Sequence, residues 1–142
     1  MRILLATEQW PVVFAKLDGE QTVADLQAHF AEFEAVLGRK QRFAQITWLK
    51  SYSRDPELNK TTAKWFKQRE KAMKETCVGV AHISSSLGFR FVLSTVFLLK
   101  PLPVPYTVSP SFADAMEFVR GQASKYGLAL PADVKRPWAD MP

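Results

Sequence analysis

The stretch that most constrains this chain is Trp10 to Leu26, WPVVFAKLDGEQTVADL, which reads as a strand, a tight turn and a helix start with no slack between them. Val12 to Leu17 are apolar apart from Lys16, half of them β-branched or aromatic, and suit a buried strand. Asp18-Gly19 is a turn signal, because glycine supplies the positive φ that the chain needs to reverse direction. Thr22 then caps a helix, with Asp25 three residues later in a capping-box arrangement. Repetition of this unit along the chain points to an α/β fold.

Ile3 to Ala6 is a short apolar run that pairs with Val12–Leu17 as an antiparallel hairpin, leaving the first strand at a sheet edge. The first helix follows from Val23, with Leu26, Phe30, Phe33 and Leu37 on one face and Gly38 as its stop. Phe43 to Leu49 is the next strand, with Gln45 and Thr47 marking a less protected face. Asp55-Pro56 opens a charged helix from Glu57 to about Lys74. Val78 to Ile83 reads as a central parallel strand. Ser84, Ser85 and Ser86 cap a third helix through Phe89, Val92, Leu93, Val96 and Phe97. Pro101, Pro103 and Pro105 end it, Val104 to Val108 makes a short last strand near an edge, and Ser109-Pro110 or Ser111 starts a final helix. Residues 127–142 are proline-rich and polar, and are expected as an extended tail.

Composition bounds the function. With 142 residues, 47% hydrophobic and 23% charged, the chain supports one full core and is no disordered segment. A net charge of +5 favours an acidic partner, yet it falls short of the dense basic character of a nucleic-acid binder, so nucleic acid is the disfavoured partner. The single Cys77 excludes an intramolecular disulfide and fits a reducing compartment. The apolar run in MRILLATEQ is too short for a secretion signal, and Phe91–Leu99 is half the length that spans a bilayer. A cytoplasmic protein is the expectation.

The segments FAKLDGEQTVADL and YTVSPSFADAMEFV resemble the opening and closing of the STAS fold of anti-sigma-factor antagonists, in particular the SpoIIAA-like relatives grouped with lipid-binding Sec14-type domains. The resemblance implies a STAS-like α/β domain over residues 1–126, with an open, mostly parallel or mixed sheet of about five strands, about four helices and an N-terminal edge hairpin. It also implies a non-enzymatic protein-interaction module, a bacterial regulator or scaffold. Regulatory members carry a phosphorylated Ser in an Asp-Ser-Ser-Gly-type loop. Here that loop reads LKSYSRDPELN, which offers Ser53 as the candidate phosphorylation site and Ser51 beside it, without the neighbouring Asp, second Ser and Gly.

The residues themselves offer little catalytic chemistry. His29 and His82 have no metal-ligand spacing, Cys77 and His82 are five residues apart on one strand, and the glycines form no phosphate-binding fingerprint. No catalytic residue, metal or cofactor is expected. Lys60, Lys64, Lys67, Lys71 and Lys74 fall within about an 80° arc of one helix, a stripe that reads either as solvated surface or as a contact for an acidic protein, an anionic membrane or RNA. Arg69 projects from the apolar face near Trp65, on which it is expected to stack with its head reaching solvent, a buried carboxylate partner being the rarer alternative. The third helix is apolar nearly all round, with Phe89, Val92 and Phe97 among its candidate partner-binding residues. Docking of another protein or a second copy is the first expectation, and a lipid or small apolar ligand of Sec14 type is the alternative.

Overall fold

Residues Val12–Asp18 form β2, whose first four residues are buried. Alternation sends Val12 and Phe14 into one apolar cluster and Val13 into another on the opposite side of the sheet. A strand apolar on both faces belongs in the middle of a covered sheet. The computed structural model describes residues 2–51, 55–99 and 102–142, apart from the side chains of residues 2, 96, 97 and 99. The elements in chain order are β1 (Arg2–Ala6), β2, α1 (Val23–Gly38), β3 (Phe43–Leu49), α2 (Pro56–Gln68), α3 (Glu70–Thr76), β4 (Cys77–Ile83), α4 (Leu87–Leu99), β5 (Tyr106–Ser109) and α5 (Phe112–Lys125).

The strands lie in the order β1-β2-β3-β4-β5. β1 is antiparallel to β2, with Ile3 opposite Leu17. The β2–β3, β3–β4 and β4–β5 pairs are parallel. The fold is therefore α/β with a mixed five-stranded sheet and the expected edge hairpin. Because each parallel strand is laid down next to the last in one direction, right-handed crossovers put every connecting helix on the same face. One cluster shows this for the first two connections: Val13, Phe43 and Val80 pack against Phe30 and Phe33 of α1, Leu58 and Trp65 of α2 and Met73 of α3. The other face carries Val12, Phe14, Ile46 and Ile83 against Ala115, Met116 and Val119 of α5.

Local signals set the element ends. Thr22 Oγ1 accepts from the Asp25 N–H at 3.1 Å while Asp25 accepts from the Thr22 N–H at 2.9 Å, closing the capping box of α1. Gly19 holds the turn at φ 77°. At the far end of α1 the left-handed position falls on Lys40, at φ 52°, and Gly38 remains helical.

The structure departs from three expectations. The lysine helix is interrupted at Arg69, with φ −111° and ψ 11°, so the stripe is shared between α2 and α3. Arg69 Nε meets Glu34 Oε1 on α1 at 2.5 Å, and its guanidinium lies 5.9 Å from the Trp65 ring centroid. The stacking partner is as expected, while the carboxylate partner is half-exposed. β3 is buried throughout, because Gln45 Nε2 donates to Thr47 Oγ1 at 2.9 Å and the two polar side chains satisfy one another.

The segment expected as an extended tail has no helix or strand, yet it folds back over the sheet face that α5 leaves open. Val134 and Met141 are buried, with Leu128, Leu130 and Trp138 packed beside them. Gln9 exchanges two 2.7 Å hydrogen bonds with the Lys135 backbone, and the Phe112 N–H donates to the Pro142 carbonyl at 2.7 Å. The five apolar residues, spaced irregularly among prolines, fit a groove and not a helix. Deletion of residues 128–142 is expected to cost about 3–6 kcal/mol, the burial of Val134 and Met141 alone. Urea unfolding of the truncated chain measures it, and an unchanged midpoint would show the segment to be dispensable.

Candidate interaction surface

α4 begins where the serines stop β4. The Ser86 N–H donates to Ser84 Oγ and the Phe89 N–H to Ser86 Oγ, both at 3.2 Å, and Arg90 Nη1 donates to the Ser84 carbonyl at 2.6 Å. Ser84 and Ser86 are thus occupied with capping. The helix reads LGFRFVLSTVFLL, with Arg90 its sole charge. Leu93 is buried, and among the other elements α4 meets β5.

The opposite side is bare. Leu87 and Phe91 are each 74% exposed, Leu98 is 78% exposed and Val92 on the flank is 52% exposed. At 100° per residue Leu87, Phe91 and Leu98 fall within about 40°, some 140° round from Leu93. Single exposed apolar residues are ordinary, whereas a continuous ridge of large ones marks a surface made to be covered. Of the residues named from the sequence, Val92 borders this ridge and Phe89 is half-buried. Phe97 lies in α4 with its side chain outside the described set. Leu87 was hidden in the sequence, since a helix apolar on all sides gives no clue to which side the sheet will take. Only the position of Leu93 orients it.

The lysines sort by helix. Lys60, Lys64 and Lys67 are exposed within about 60° of one another on α2, about 140° from the buried Leu58 and Trp65. Lys71 and Lys74 are exposed on α3, and Lys74 pairs with Glu70 at 3.1 Å. Lys60, Lys64, Lys67 and Lys71 form no ion pair with another described residue. Same-hand crossovers put α4 on the face of the sheet that carries α2 and α3. The lysine face and the apolar ridge therefore both look away from the sheet. Ser53 lies outside the described residues, while Ser51 accepts a hydrogen bond from the Gly19 N–H.

Cys77 opens β4 and His82 is its penultimate residue, about 16 Å apart at strand rise, too far for a nucleophile and its base. Burial pushes the Cys77 thiol up to about 12. Among the described residues no group of three or more His, Cys, Asp or Glu is placed to hold a metal ion. Nor, among them, is any helix long and apolar enough to cross a membrane.

His29 lies against the Phe30 and Phe33 rings, and both ring nitrogens of His82 are sealed from solvent. Burial lowers each imidazole from 6.5 to about 4. The unfolded chain then binds more protons than the folded one between these values. Stability is full above pH 6.5 and falls as the pH drops through 4. Each histidine is expected to remove about 3 kcal/mol at pH 4, a loss that His29→Phe should reduce by about half. Denaturant titrations across this range test it, and a flat profile would contradict it.

No protein-family model, curated protein or solved structure matches this chain.

Proposed function

We propose that this chain is a non-enzymatic, STAS-like interaction module, a regulator or scaffold that works by docking its helical layer onto a partner. The observation that carries the reading is the apolar ridge of α4, turned to water where a helix of an ordinary α/β layer turns polar side chains. The STAS resemblance favours an interaction role over an enzymatic one, and the partners the sequence names are another protein, a second copy or an anionic membrane surface. The Sec14-type alternative, a lipid or apolar ligand enclosed by α4, is less well supported. Side chains lining an enclosed pocket are shielded, whereas Leu87, Phe91 and Leu98 keep about three quarters of their surface.

A surface that exists to be covered contributes little to the stability of the isolated chain. Phe91→Ser/Leu98→Ser is expected to shift unfolding free energy by less than about 1 kcal/mol, in contrast to the 2–5 kcal/mol cost of Leu93→Ala. Chemical denaturation separates the two. If the double variant is destabilised as much as Leu93→Ala, the ridge is part of the core and the docking reading fails.

A further inference from the structure

We infer that the partner of this helical layer is an anionic bilayer surface, with α4 lying in the interface and the α2 lysines held over acidic headgroups. The inference rests on α4 being a docking surface and names what covers it. Two independent features converge. The first is the ridge Leu87–Phe91–Leu98, flanked by Val92, which has the apolar face of an interfacial helix. The second is the strip Lys60, Lys64, Lys67 and Lys71, exposed on α2 and α3, which right-handed crossovers put on the same face of the sheet as α4. Its lysines form no ion pair among the described residues, Glu57, Glu70 and Glu75 stand at its margins, and α4 contains no acid that phosphatidylserine would repel.

The chemistry of the two strips separates a bilayer from a protein. Protein interfaces are depleted in lysine and orient their partner through hydrogen bonds around an apolar centre. Here the cations are all lysines, and the hydroxyl of Thr95 on α4 is turned back to the Phe91 carbonyl at 3.0 Å. An exposed apolar strip with a set of exposed ammonium groups in the same layer asks for no particular arrangement of donors and acceptors. It asks for hydrocarbon next to diffuse negative charge, which is the boundary of an acidic membrane.

Co-sedimentation of the full chain with vesicles tests this. The chain is expected to bind vesicles of equal parts phosphatidylserine and phosphatidylcholine, to ignore pure phosphatidylcholine, and to be released by raised salt. Lys60→Gln/Lys64→Gln/Lys67→Gln should weaken binding roughly 100-fold, each lysine near the surface being worth somewhat under tenfold. Phe91→Ser/Leu98→Ser should abolish it while the lysines remain. Equal binding to both vesicles, or to neither, overturns the inference. A concentration-dependent dimer that the ridge variant dissolves, without vesicle binding, names a second copy as the occupant instead. Melting of the ridge variant far below the wild type would defeat the docking reading itself, and the lysine variant, altered only at exposed positions, would still report on the membrane.

Discussion

The fold depends on one topological constraint: four parallel strands are added in sequence, each beside the last. With one handedness of crossover, such a series cannot alternate its helices between the two faces. Everything between β2 and β5 is committed to one layer, and the other face must be closed by whatever follows β5. α5 closes part of it, and the irregular segment ending in Met141 closes the rest. The layer itself has two ends. α1 is supported by β1 and by α2, whereas α4, last in the series, leans on the four-residue edge strand β5. A helix at the end of a layer has only one side to bury. That is why an apolar sequence there produces exposed surface and not more core.

Much of this was legible in the sequence because local chemistry and tertiary role agree. The turn at Gly19, the Thr22–Asp25 box, the Asp55-Pro56 helix start and the apolar run of β4 each encode a geometry that the fold then uses. Where the sequence misled, a long-range contact had replaced a local preference. Gln45 and Thr47 look like an exposed strand face until their side chains are seen to bond one another in the core. The proline-rich end looks like a tail because proline removes regular structure, but five apolar side chains still find a groove. The interruption at Arg69 carries no glycine or proline signal. What distinguishes it is a guanidinium held by Glu34, 35 residues away in sequence.

The candidate surface was legible in kind and not in detail. The lysine stripe follows from spacing alone, because charged residues point to water on any helix packed by its apolar side. The orientation of α4 does not, since nearly every position satisfies the requirement of a buried face. The end-of-layer position decides it, and that position is a property of the whole topology. The cost of leaving Leu87, Phe91 and Leu98 in water is a liability toward aggregation that a protein without use for the ridge has little reason to keep.

The central claim is that this ridge faces solvent in the folded chain, and thiol labelling reads that directly. The native Cys77 is buried with its thiol held at about 12, so it does not compete for reagent. Cysteines placed singly at positions 91 and 98 are predicted to react at close to the rate of the unfolded chain, while one placed at 93 is protected. Protection at all three positions would put α4 inside the core and contradict the account.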